Sequence, residues 1–181
     1  NQWELSLKRM FDMATDSRLF YTAERMKSLG AEFDGWGWAK QEQRWFPLYE
    51  AKMVNHFDDR FSTYAGATQA NLNEGTLPRL TQEQHSDPSC EPLARYWVAE
   101  ADVVKALGEA MQSSHLLAIR RLCRASDART LIPSAIPVSA AGDNMWICLC
   151  PSGATLLQAI LSSLVADYIV RQKLSGSTMS A

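Results

Sequence analysis

Apolar and polar residues alternate with two different periods along this chain, and the switches between them predict its elements. Near the start, Trp3, Leu5 and Leu7 alternate with Glu4, Ser6 and Lys8, the period of two that marks a half-buried strand within Gln2 to Met13. Thr22 to Leu29 is rich in helix formers; Thr22 can cap its start, and Gly30 can supply the left-handed residue that ends it. Phe33, Trp36, Trp38, Trp45, Phe46 and Tyr49, interrupted by Gly35 and Gly37, predict a hairpin or meander around a glycine turn. From about Gly66 to Pro92 the large apolar groups give way to Thr, Gln, Asn, Ser, Pro and Gly, the composition of a long, mobile surface loop.

The second half is more regular. Arg95 to Val98 reads as a short strand, and Glu100 to Met111 as a helix with Val103, Val104, Leu107, Ala110 and Met111 on one side. His115 to Cys123 fits either element by period, but Ser126-Asp127 followed by Thr130 to Ile136 favours strand, turn, strand, and Met145 to Cys150 is a further strand. The clearest signal is the stripe Ala154, Leu157, Ile160, Leu161, Leu164, Val165 and Tyr168, which predicts one long C-terminal helix lying on the sheet. The expected class is therefore α+β, a mixed sheet with a long C-terminal helix packed on it, with residues 1–181 as a single domain and a surface loop at about 66–92.

Composition narrows the function. A hydrophobic fraction of 46% with 21% charged residues excludes disorder for most of the chain. With 18 Lys and Arg against 20 Asp and Glu, there is no overall attraction to a polyanion, so any nucleic-acid contact requires a local patch. Gln158, Ser162, Ser163 and Asp167 interrupt the most apolar stretch, so no membrane span is expected. With no charged and apolar leader in view, the cytoplasm is the expected compartment. The four cysteines offer neither a disulfide framework nor zinc-finger spacing. A chain that starts at Asn1 and stops at Ala181 reads as a piece of something larger. Phosphate-binding, dinucleotide-binding, nucleophile-elbow and HExxH motifs are all missing, as are the Asn-Pro-Pro-Tyr loop and cofactor turn of adenine methylation, so the segment is expected to be non-catalytic by itself.

Three groups could carry chemistry. Pro47 to Tyr64 concentrates Lys52, His56, Asp58, Asp59 and Arg60 between aromatics. His56, Asp58 and Asp59 could hold a metal for phosphodiester hydrolysis; Lys52, His56 and Arg60 could instead contact phosphates or guanine edges. The plainest alternative pairs Asp58 with Arg60 or His56 and buries Tyr49, Phe57, Phe61 and Tyr64 as core. The second group is Arg120, Arg121, Arg124 and Arg129, with Asp127 as the counter-charge, a local excess suited to phosphate binding or to a solvated edge strand. On a strand, Arg120 and Arg124 would share one face and Arg121 the other. The third is Asp167, Tyr168, Arg171, Gln172 and Lys173, where Asp167 and Arg171 stand at the spacing of a helical ion pair.

Five phrases in order carry a resemblance: Met10-Phe-Asp-Met-Ala-Thr-Asp-Ser17 with Leu19-Phe20; Pro47-Leu-Tyr-Glu-Ala-Lys-Met-Val54 with His56-Phe-Asp-Asp-Arg-Phe61; Arg95-Tyr-Trp-Val98; Arg120 to Thr130 with Ile136-Pro137; and Leu161 to Lys173. From about Trp3 to Thr178 the chain resembles the C-terminal target recognition (specificity) domain of bacterial N6-adenine DNA methyltransferases, of the type IIG restriction-modification and PglX-like phage-defence kind. That family commonly carries a second histidine where Asp59 stands and Asn-Ser where Ser162-Ser163 stand. The resemblance implies a module beside an upstream methyltransferase domain of the same chain, reading double-stranded DNA while the parent uses S-adenosylmethionine. It also implies that Tyr49, Lys52, His56, Asp58 and Arg60, and Arg120, Arg129 and Thr130, lie near DNA. The expected DNA contacts are thus Lys52, His56, Arg60, Arg120, Arg121, Arg124, Arg129, Thr130, Arg171, Gln172 and Lys173. A metal-dependent phosphodiesterase and a protein-interaction domain without nucleic acid remain the competing classes.

Overall fold

The N-terminal alternation yields a strand, β1 (Ser6–Lys8), shorter than the run that predicts it; Trp3 lies outside the residues that the computed structural model describes, 4–150 and 153–179. A single 3-10 turn, Ser17–Leu19, leads to α1 (Ala23–Ser28). As expected, the Thr22 side chain accepts the Arg25 N–H at 3.3 Å, and Gly30 takes a φ of +70° just beyond the helix. The aromatic segment forms the meander β2 (Glu32–Phe33), β3 (Trp38–Lys40) and β4 (Gln43–Tyr49). A 3-10 turn, Ala51–Met53, follows.

The polar excursion runs over the surface but is not structureless. It holds α2 (Gln69–Glu74) and α3 (Gln82–Ser86), each opened by a reciprocal capping box, Thr68 with Asn71 and Thr81 with Gln84. After it come β5 (Trp97–Ala99), α4 (Glu100–Leu107), a 3-10 turn over Gly108–Gln112, and β6 (Leu116–Arg120). β7 (Pro133–Ile136), the two-residue β8 (Ala140–Ala141) and β9 (Met145–Leu149) complete the strands.

The expected single C-terminal helix is two, α5 (Ala154–Leu161) and α6 (Leu164–Lys173), bent by 67° at Ser162–Ser163. Ser163 restarts the helix by accepting the Ala166 N–H at 3.1 Å, a hydroxyl doing what serine does best at a helix N-terminus. The bend turns part of the apolar stripe away from the sheet. Leu157 is buried, whereas Leu164, Val165 and Tyr168 are 74%, 69% and 62% exposed.

Two sheets result, so the fold is α+β as expected. One is antiparallel in the order β1-β9-β6-β7; the other runs β2-β3-β4-β5, antiparallel, and takes β8 parallel to β4 through Leu48–Ala140 and Tyr49–Ala141. Alternation sorts side chains between layers. From β6, Leu116 and Ala118 enter the central core with Phe46, Leu48, Val98, Val103 and Ile147. Leu117 and Ile119 point the other way, to Leu131, Cys148 and Leu157 under the C-terminal helices. A third cluster, Met26, Trp38, Trp45, Met53 and Trp97, fills the far side of the second sheet.

Candidate nucleic-acid interface

One or more members of each charged group, His56, Arg129 and Arg171 among them, meet around one carboxylate. Asp167 sits on α6 and is 5% exposed. Its Oδ1 accepts the backbone N–H groups of Thr130 at 2.7 Å and Leu131 at 2.8 Å. Its Oδ2 accepts from Arg171 at 3.2 Å, and Arg129 Nε stands 3.7 Å from Oδ1. Burial opposes the charge, but the Leu131 and Thr130 amides, then Arg171 and Arg129, hold the carboxyl below its ordinary value.

Arg129 carries the connection onward. It donates to the Ser162 carbonyl at 2.6 Å, a carbonyl at the break between α5 and α6, and contacts His56 Nε2 at 3.1 Å. A guanidinium only donates, so the imidazole must accept and be neutral. Burial and then Arg129 push His56 below its ordinary value, against the opposite pull of the Ser162 carbonyl and Asp167. Arg171 is equally committed: it donates to the carbonyls of Ala125 at 2.7 Å, Asp127 at 2.9 Å and Ala128 at 3.3 Å. The expected Asp167–Arg171 ion pair is present, and both partners do more than pair.

Several residues expected at DNA also make contacts within the fold. Thr130 is fully buried, its hydroxyl donating to the Arg124 carbonyl at 3.1 Å, which removes it from any external surface. Arg60 donates to the carbonyls of His85, Asp87 and Cys90, each at 2.9 Å, pinning the end of the 66–92 excursion. Arg121 donates to the Asp143 carbonyl at 2.6 Å and lies 4.9 Å over the Trp146 ring. Lys52 is 3.5 Å from Glu50 and 5.2 Å over the Tyr64 ring. β6 ends at Arg120, so the alternation expected through Arg124 does not apply.

What remains fully outward is a smaller set. Arg124, Gln172 and Lys173 are exposed, and Lys52, His56, Arg60, Arg121, Arg129 and Arg171 are partly so. Arg120 is half-buried; its Nε has no hydrogen-bond partner among the described residues, and burial lowers its affinity for its proton while Asp127 and Cys123 raise it.

No family model, curated protein or solved structure matches this chain. Its chemistry is that of the groups its own fold brings together.

The residues of the metal-centred alternative are not assembled. His56 turns to Arg129, whereas Asp58 accepts the Arg60 N–H at 3.0 Å and lies 3.8 Å from His85. Burial raises Asp59 above its ordinary value. Among the described residues, no three His, Cys, Asp or Glu side chains gather as a metal site. A groove of about 550 Å³ bordered by His115, Leu116, Cys148 and Cys150 contains none of the charged groups above.

Reading the sequence alone misses two features of this site. Asp167 is recognisable locally as the partner of Arg171, but its bonds to Thr130 and Leu131 are tertiary. Phe57, which the plainest alternative buries in the core with the other aromatics of its segment, is 70% exposed.

Proposed function

We propose that this chain is the sequence-specific DNA recognition module of an S-adenosylmethionine-dependent adenine-N6 DNA methyltransferase, of restriction-modification or phage defence, and non-catalytic by itself. The observation that carries the reading is the convergence around Asp167. Segments 52–60, 120–130 and 162–173, each a candidate DNA contact on its own residues, are tied into one surface by Arg129 and Arg171. On segments 120–130 and 162–173 the cations Arg124, Arg129, Arg171 and Lys173 outnumber Asp127 and the buried Asp167, a local positive excess on a chain of net charge −2.

In this reading the outward groups Arg124, Gln172 and Lys173 meet the duplex, with Arg120, Arg129 and His56 at the edge of the contact. Arg60, Arg121, Thr130 and Arg171 act as struts that hold those contacts in register. Gln172 and the arginines have the donors for bidentate reading of base edges, and Lys173 acts as a phosphate anchor. The cofactor and the reacting base belong to an upstream methyltransferase domain.

The test is fluorescence anisotropy of the chain against a labelled random-sequence duplex at several salt concentrations. Recognition predicts an affinity that falls linearly in log salt with a slope of several phosphates. Arg124→Ala and Lys173→Ala should each reduce that slope by about one, and unchanged slopes in both would remove these assignments. A second reading, a protein-interaction module, is favoured by the exposed Leu164, Val165 and Tyr168 on α6. It predicts salt-independent behaviour towards DNA together with a tight protein complex.

A further inference from the structure

Phe57 occupies a position where both backbone geometry and solvation argue against phenylalanine. The turn Asn55–Asp58 is closed from both ends: the Asn55 N–H donates to the Asp58 carbonyl at 2.6 Å, and the Asp58 N–H to the Asn55 carbonyl at 3.0 Å. Of its two central residues, Phe57 takes a φ of +60°, the conformation for which such turns select glycine or asparagine. The ring is 70% exposed, and its ring contact is the His56 imidazole, edge-on at 4.1 Å. Glycine would relax the backbone, and a polar residue would suit the water.

The turn is nonetheless firmly held. The His56 N–H donates to Asn55 Oδ1 at 2.8 Å, Asp58 Oδ1 accepts the Arg60 N–H at 3.0 Å, and His56 is tied to Arg129 at 3.1 Å. Val54 and Met53, which lead into the turn, are fully buried. Strained residues that persist inside an over-determined frame cluster at ligand clamps and active sites. Here the frame projects a rigid apolar ring from the same hub that gathers the cations.

The geometry points to Phe57 as a wedge that enters a base step of bound double-stranded DNA, stacking on a base while Arg124 and Lys173 anchor the backbone. This rests on the recognition reading above. Apolar side chains inserted between base pairs unstack the step and kink the duplex, and an aromatic face stacks on any base without regard to sequence. Preorganisation by the Asn55–Asp58 turn spares the ordering entropy that a flexible loop would lose on insertion.

The experiment compares the wild-type chain with Phe57→Gly and Phe57→Trp, using a labelled random-sequence duplex and the same duplex with 2-aminopurine in place of adenine. A wedge predicts that Phe57→Gly melts no lower than wild type, because its strain is relieved, yet binds roughly tenfold more weakly. It also predicts an unchanged salt slope and loss of the 2-aminopurine fluorescence rise that unstacking causes. Phe57→Trp should restore both binding and fluorescence. Full affinity in Phe57→Gly, or no fluorescence rise with the wild type, overturns the wedge and leaves the recognition reading standing. A Phe57→Gly that melts several degrees lower makes the ring structural and also overturns it. Absence of any salt-dependent binding by the wild-type chain removes both readings together.

Discussion

Replacing Asp167 by asparagine keeps the size and acceptor oxygen of the side chain and removes its charge, so it isolates what the buried carboxylate does. Asp167 Oδ1 receives two short backbone bonds, at 2.7 and 2.8 Å. A hydrogen bond to a charged group contributes about 1.5–3 kcal/mol against about 1 kcal/mol for a neutral one, so neutralisation weakens the pair by about 2 kcal/mol. The Arg129 and Arg171 side chains, 22% and 28% exposed, regain some water when the anion is lost, which limits their share to about 1 kcal/mol. The sum of about 3 kcal/mol lies at the low end of the range for breaking a buried ion pair. For a chain of this length it corresponds to a melting temperature lower by roughly 6–12 °C. Urea unfolding at neutral pH, followed by tryptophan fluorescence, measures it directly. Asp167→Ala should lose more, because the Thr130 and Leu131 amides would then lack an acceptor. An Asp167→Asn variant within about 1 kcal/mol of wild type would refute the hub as a source of stability.

Three further outcomes follow from named contacts. Arg60→Ala removes all three carbonyl contacts that pin His85, Asp87 and Cys90; amide exchange should accelerate in 82–92 while the strands stay protected, and uniform exchange across the chain would contradict the strut. Gly37→Ala would set a Cβ 2.7 Å from the Trp45 carbonyl oxygen, and the overpacking should lower stability by about 1–3 kcal/mol in the same urea assay; a neutral result would mean that the β2–β3 turn yields. His56 and Asp167 both lie below their ordinary values of 6.5 and 3.8, so the unfolded chain takes up each proton first. Stability present at neutral pH is therefore lost as pH falls, first through the histidine window below about 6.5 and later through the carboxylate window. His56→Gln should flatten the first step of the urea midpoint against pH, and an unaltered profile would assign that step elsewhere.

Much of the fold is legible in local chemistry. The Thr22 cap and Gly30 delimit α1, the aromatic run folds as the β2–β3–β4 meander, and β6, β7 and β9 lie inside the runs that predict them. What is not legible depends on weak or distant signals. The 66–92 segment has the composition of a loop, yet Thr81 and Gln84 already stand at capping-box spacing. The C-terminal stripe keeps its helical period straight through Ser162–Ser163, so periodicity does not reveal a bend that the Ser163 cap stabilises. Charge clustering marks the segments that meet around Asp167, but not which of their cations face inward. Arg60 and Arg121 are spent on backbone carbonyls far along the chain, and only tertiary contacts distinguish them from Arg124.

The pairing of β1 with β9 also orders events during synthesis. Ser6 meets Leu149 and Lys8 meets Ile147, so the first strand emerges with its partner still about 140 residues from being made, a wait of roughly 10–30 s at ordinary elongation rates. Until then β6 and β7 can zip as a hairpin with one edge open, and the early strand has no template of its own. β9 is the piece that both are waiting for, and its arrival closes the ladder from two sides at once.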